Sequence, residues 1–189
     1  MRLGGDTISL VMDVKHFPLD ELSLGLERIL ASPQDGGRVE MLVVRPKHDE
    51  RLTPESVEVS AELGLHGDHW STGDYRDEPD TQIAIMSSRV LDLVSGGRER
   101  WPLAGDNIIV DLDLSKENLV PGQKLEAGSA VLEITEIPHA GCNKFSQRFG
   151  ADALRFVNLG QGKELRLRGV YARVVQPGTI GLGDQISKL

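Results

Sequence analysis

The stretch NIIVDLDLSKENLVPGQKLEAGSAVLEITEI, Asn107–Ile137, contains two apolar runs of strand length, Asn107–Leu114 and Ala130–Ile137. Both are rich in Val and Ile, and the intervening VPGQKLEAGS carries Pro-Gly and Gly turn signals. Working outward, the same texture recurs. TQIAIM (Thr81–Met86) and VEMLVVR (Val39–Arg45) read as strands. In SVEVSAELGL, residues Val57, Val59, Ala61, Leu63 and Leu65 alternate with mostly polar neighbours, as a half-buried strand requires. Downstream, ELRLRGVYARVV, a turn at QPG and GDQISKL close the chain. Short strands divided by Gly and Pro turns predict a mainly β fold. A closed or nearly closed β-barrel is expected, because closure removes exposed sheet edges, with a few helices covering it.

Three segments have helical character. FPLDELSLGLERILASPQDGG places Leu22, Leu26, Ile29 and Leu30 on one face and predicts an amphipathic N-terminal helix over about residues 17–32. Pro18 suits its first turn, and SPQDGG stops it. SSRVLDLVSGG offers a serine cap, a short helix and a glycine stop. NKFSQRFGADALRFVNL aligns Phe145, Phe149, Ala153 and Phe156, with a break expected at Gly150 because glycine costs about 1 kcal/mol inside a helix.

With 189 residues and no linker or low-complexity tract, a single domain spanning 1–189 is the simplest organisation. One cysteine cannot form an internal disulfide. The opening MRLGGDTISLVMDVKHF lacks the apolar core of an export signal, and no run reaches the length of a membrane span. A cytoplasmic protein without a membrane partner is expected. The net charge of −8 argues against nucleic-acid binding. From Gly141 to Arg173, however, seven basic residues face two acids. That excess either focuses field on a small anion or pairs with the chain's own carboxylates.

Chemistry centres on PHAGCNKFSQRFG, Pro138–Gly150. Cys142 lies between His139 and Lys144, with Arg148 further along. If Asn143 caps the next helix, exposed backbone N–H groups lie near the sulfur and lower its pKa. The alternative is a buried cysteine serving as a small apolar residue. In GLHGDHW, the residues His66, Asp68 and His69 are three possible metal ligands, but zinc sites usually add a fourth ligand and wider spacing. The simpler reading makes Asp68 a turn acceptor, with His66 or Asp68 lining a pocket opposite Cys142. Asp106 and Asn107 either read the polar edge of a heterocycle or start a strand.

Taken in order, VEVSAELGLHGDHW, TQIAIMSSRVLDLV, LAGDNIIVDLDL with LVPGQKLEAGSAVLEITEIPHAGCNKF, and QPGTIGLGDQI resemble the MOSC domain. This module occurs at the C-terminus of molybdenum cofactor sulfurases and as stand-alone bacterial proteins. The resemblance covers most of the chain from Val57 onward. It implies a β-barrel that binds the molybdenum cofactor, a pterin bearing a dithiolene and a phosphate. Cys142 falls at the family's cysteine, where it would either carry sulfur as a persulfide or ligate molybdenum. His66, Asp68, Asp106, Asn107 and His139 are candidates to bind the pterin, and Lys144, Arg148 or Arg168 to hold its phosphate. Pyridoxal phosphate is expected only in a partner cysteine desulfurase, since nothing here corresponds to the domain that draws sulfur from free cysteine.

Two departures stand out: Gly141 occupies the place where the family pattern has proline, and GDN stands where many members have GEN. Three functions remain open. They are a cofactor-binding sulfur carrier, a molybdenum oxidoreductase acting on N-hydroxylated compounds with a redox partner, and a non-catalytic binding module.

Overall fold

The computed structural model describes residues 15–74 and 76–189. The first fourteen residues, which carry most of the stretch read above for an export signal, lie outside them. The chain begins with helices α1 (Leu19–Leu24) and α2 (Leu26–Leu30), followed by strands β1 (Gly37–Leu42), β2 (Ser56–Ser60) and β3 (Gly64–Leu65). Strand β4 (Ile83–Ser87) leads directly into α3 (Ser88–Ser95), and β5 (Ile108–Asp111), β6 (Lys124–Ala127) and β7 (Ala130–Ile134) follow. After the helices α4 (Asn143–Phe149), α5 (Ala151–Asn158) and α6 (Gln161–Glu164), the chain ends in β8 (Val170–Gln176), β9 (Gly178–Gly181) and β10 (Gln185–Lys188).

Seven strands close a barrel in the order β1, β10, β6, β7, β8, β4, β5 and back to β1. Among the described strands only β4 and β5 pair in parallel. Their connection therefore needs a crossover, which α3 and a 3-10 segment at Arg98–Ala104 supply. The remaining strands form a separate sheet ordered β3, β2, β9.

Strand alternation sorts the apolar residues into two cores. Ile83, Ile85, Ile108, Val110, Leu125, Leu132 and Ala172 fill the barrel. Met86 and Ile109 point outward from the same strands, against Leu22, Leu91, Trp101, Phe145, Phe149 and Phe156 of the covering segments. Burial on both faces explains why IAIM and IIV are nearly unbroken apolar runs.

The mainly β barrel with covering helices is as expected, and four local expectations are corrected. The N-terminal helix is two short ones joined at Gly25, where a Cβ would lie 2.5 Å from Leu93 Cδ1 of α3. Leu22 and Ile29 are buried there, Leu30 is exposed, and Pro18 is the N-cap residue and not part of the first turn. SVEVSAELGL is not one strand: the chain turns at 61–63 and returns antiparallel as β3, leaving Ala61 and Leu63 exposed. KLEA, expected as part of a turn, is β6, with Leu125 and Ala127 buried and Lys124 and Glu126 exposed. The serine before α3 gives no side-chain cap; Ser87 Oγ is buried without a partner. The break at Gly150 is as expected, with φ 97 between α4 and α5.

Gly169, just before β8, has φ 101, and a Cβ there would lie 2.1 Å from the Ile85 carbonyl oxygen. Gly122 has φ 84 and nothing within 4 Å. Gly169→Ala is expected to cost roughly 3 kcal/mol or more through strain and overlap. Gly122→Ala should cost only about 1 kcal/mol. Urea unfolding of the two variants checks this; equal losses would show that close approach of β8 to β4 is not what requires glycine at 169.

Candidate functional site

From the end of β7 the chain runs without regular structure to Cys142, which is the N-cap residue of α4. The cap is thus the cysteine itself and not Asn143, which is the first helical residue. Cys142 is exposed, which removes the reading of a buried apolar residue. Partial burial pushes its thiol pKa up, but the N–H groups of Phe145 and Lys144 and the positive charge of Arg168 outweigh this. The thiol sits below its ordinary value of 9.0. None of these N–H groups donates to the sulfur with good hydrogen-bond geometry, so the effect is that of a positive helix end on a nascent thiolate.

Asn158, the last residue of α5, fixes the peptide before the cysteine. The Gly141 N–H donates to Asn158 Oδ1 at 2.8 Å, and Asn158 Nδ2 donates to the Gly141 carbonyl at 3.0 Å. A Cβ at position 141 would lie 2.7 Å from Leu154 Cδ1. Glycine at the family's proline position therefore has a physical account. Proline has no N–H for Asn158, and its ring would meet Leu154.

Arg168, from the turn before β8, lies within charge range of the thiol. Its Nη1 donates to both oxygens of Asp106 at 2.8 Å, its Nη2 donates to the Ala104 carbonyl at 3.2 Å, and its guanidinium stacks over Phe145. His139 lies beside this pair, its side chain only 5% exposed, with Nδ1 3.6 Å from Asp106 Oδ1 and its ring 4.2 Å from that of Tyr171. Burial first, then the charges of Arg168 and Arg45, push its pKa well below 6.5, so the ring is neutral. Burial and the Asp106 charge raise the pKa of Tyr171.

A second cluster flanks the first. Asp68 Oδ2 accepts from Arg45 N, Arg45 Nε and Asn107 Nδ2, and Oδ1 from Arg45 Nη2 and Trp70 N. Asn107 Oδ1 accepts from Ala84 N and Arg45 Nη2. Asp68 and Asn107 are thus buried and fully engaged with protein groups; they hold Arg45. The turn role read for Asp68 is observed in its bond to Trp70 N. Beyond them, the segment 46–51 meets α4: Lys144 Nζ contacts His48 Nε2 at 2.7 Å, and Arg148 Nη2 donates to Asp49 at 3.3 Å. Burial, then repulsion from Arg148 and Arg45, lowers the pKa of Arg51.

His66 stands apart, contacting Ser60 and Glu58 on the separate sheet. Among the described residues no group of three His, Cys, Asp or Glu side chains could hold a metal, so the metal reading of GLHGDHW finds no support there. Arg45, Arg51, Tyr171 and Asn158 were not singled out from the sequence. Arg45 had a visible signal, a cation ending the apolar run VEMLVV; the others had none.

Six buried side-chain polar atoms lack a partner among the described residues, and three of them, Arg51 Nε, His139 Nδ1 and Arg168 Nε, belong to this region. Each costs about 1–3 kcal/mol unless water or a ligand meets it.

A family model of the MOSC domain matches residues 62–187. The chain belongs to the MOSC domain family. Solved structures share the fold of this MOSC protein. The YuaD protein of Bacillus subtilis is 19% identical over 79% of this chain and 93% of its own, with a TM-score of 0.60. YiiM from Escherichia coli is 21% identical over 80% of this chain and 69% of its own, with a TM-score of 0.54. YiiM from Geobacillus stearothermophilus is 20% identical over 81% and 75%, with a TM-score of 0.54. A search of curated proteins finds no match. No helix among the described residues is long and apolar enough to cross a membrane.

Two predictions follow from this geometry. Asn158→Ala should cost about 1–2 kcal/mol for the two lost hydrogen bonds and also move the pH midpoint of Cys142 alkylation upward, towards that of the urea-unfolded chain. An unchanged midpoint would make the clamp purely structural. The second concerns His139, which takes a proton at about its ordinary 6.5 when unfolded and far lower when folded. Its contribution to stability is therefore complete above 6.5 and lost as pH falls from there towards the folded value. In chemical denaturation, His139→Gln should flatten the loss of stability below that pH; an undiminished slope would assign it to other groups.

Proposed function

We propose that this MOSC protein binds the molybdenum cofactor beside Cys142 and uses that thiolate to carry sulfur as a persulfide. The observation that carries this reading is an exposed thiol of lowered pKa within charge range of Arg168, capping the helix whose Arg148, with Arg45, acts on the partly buried cation Arg51. Clustered cations of this kind favour uptake of an anion.

The donor set fits the cofactor. Arg51 and Arg148, with Lys144 and Arg45 nearby, would hold a phosphate through charge-assisted hydrogen bonds. His139 Nδ1 and Arg168 Nε, both buried and unpartnered, fit polar edges of a heterocycle. Cys142 is the group this chain would offer the metal, which the cofactor's own sulfurs would otherwise hold. Bound there, the cofactor supplies a centre for sulfur or oxygen-atom chemistry. Asp106 acts by holding Arg168, and Asp68 and Asn107 by holding Arg45. His66 is distant from this set and has no part in it.

In the carrier step the Cys142 thiolate attacks the outer sulfur of a persulfide on a partner desulfurase, itself dependent on pyridoxal phosphate. The new S–S bond forms on Cys142 as the donor's S–S bond breaks and its thiolate leaves. A reducing compartment such as the cytoplasm keeps the single thiol available. The exposure of Cys142 equally suits a second reading, in which it ligates molybdenum in a reductase of N-hydroxylated compounds with an electron-donating partner.

Incubation with a cysteine desulfurase, pyridoxal phosphate and cysteine should add one sulfur atom to the Cys142 peptide, as read by mass spectrometry, and none to Cys142→Ser. Arg51→Gln with Arg148→Gln should weaken binding of the cofactor about tenfold or more. An unmodified Cys142 peptide would overturn the carrier reading. Stoichiometric molybdenum that is lost in Cys142→Ser, together with turnover of an N-hydroxylated compound, would replace it with the reductase.

A further inference from the structure

A pocket of about 420 Å³ lies behind the segment that leads to Cys142, bounded by residues 135–140, the end of α5, the region of α6 and the start of β8. Its volume is in the range that takes a small organic ligand. Ile137, Pro138, Val157 and Val170 give it apolar walls; of its three cations Lys116 is paired with Glu164, which leaves Lys163 and Arg166. Cys142, Asp106, Arg45 and Arg51 do not line it; of the groups around the thiol, His139 and Asn158 form part of its wall.

The two cations are not used up by the protein. Lys163 bonds only through its backbone, and its ammonium makes no hydrogen bond or ion pair among the described residues. The Arg166 side chain donates one bond, from Nη1 to the Leu119 carbonyl at 2.5 Å, and has no carboxylate partner among the described residues. The remaining Arg166 N–H groups are not sealed from solvent, since they are absent from the buried unpartnered atoms. Arg166 is also half-buried, and burial lowers its pKa. Its backbone lies in the left-handed region at φ 48, one of two non-glycine residues that do so among those described. An unpaired, partly desolvated cation on a strained backbone is unfavourable for folding alone and is accounted for if a ligand uses it.

We infer that this pocket is a binding site for a small carboxylate with an apolar body, its carboxylate held by Arg166 with Lys163 and its body against Ile137, Pro138, Val157 and Val170. The planar guanidinium suits a carboxylate, and Glu136 on the same lining disfavours a doubly charged phosphate. The site adjoins the one proposed around Cys142 through His139 and Asn158, but its carboxylate-binding cations are separate and do not depend on that reading.

The probe is trans-cinnamate, with cinnamamide as its uncharged counterpart, and binding is followed by saturation-transfer NMR and calorimetry on the full chain. Cinnamate should bind saturably and the amide at least tenfold more weakly. Arg166→Gly accepts a φ of 48 without strain. Relief of the backbone offsets the lost bond to Leu119, so the variant should still fold while losing at least tenfold in cinnamate affinity. Lys163→Gln, at an exposed position, should fold normally and lose about threefold, which keeps the test intact if Arg166→Gly does not fold. Equal binding of acid and amide, affinity unchanged in a folded Arg166→Gly or in Lys163→Gln, or no saturable binding at all would each overturn the inference.

Discussion

Asn107 joins the barrel to its functional end. Its backbone N–H donates to the Ala84 carbonyl and its carbonyl accepts from Val43, so its main chain sits between the strands on either side of β5. Its side chain repeats the link, accepting from Ala84 N and Arg45 and donating to Asp68 and the Val43 carbonyl. The residue is buried, and a leucine in its place would leave several of these groups unpaired in a low-dielectric setting. Through this one amide, the parallel pairing of β4 with β5 fixes where Asp68 and Arg45 stand.

The two cores explain why the site lies on connecting segments. The barrel interior is filled by aliphatic side chains and has no place for a polar ligand. The outer core is closed by the aromatic residues of α4 and α5. Reactive and charged groups are therefore confined to the segments entering and leaving these cores, where Asp106, His139, Cys142 and Arg168 converge. The Asp106–Arg168 pair is deeply buried, with side-chain exposures of 0% and 8%. Its desolvation is offset by paired hydrogen bonds and by packing on Phe145, and loss of either partner would strand the other charge.

Much of the fold could be read from sequence, because strand periodicity and turn residues are local signals. The long runs IAIM and IIV announced strands buried on both faces. KLEA did not, because its alternation lasts only four residues between glycines, and the hairpin at 61–63 was hidden because its apolar residues keep the period of a continuous strand. The candidate site was legible in part. Cys142, His139, Asp106 and Arg168 were singled out and converge, and Asp68 and Asn107 adjoin them as the support of Arg45. His66 does not converge, since β3 carries it onto the other sheet.

Composition and short-range order carry the class of fold, the approximate place of its strands, the lone cysteine and the basic excess after it. The exposure of Cys142, its place as the N-cap of α4 and the hold of Asn158 on the peptide before it come from long-range contacts. Those contacts also set which cations are neutralised: among the described residues Arg168 and Arg173 meet carboxylates, and Arg166 and Lys163 meet none. The physical reason is that pairing and desolvation depend on contacts between residues distant in the chain, such as the 62 positions separating Asp106 from Arg168.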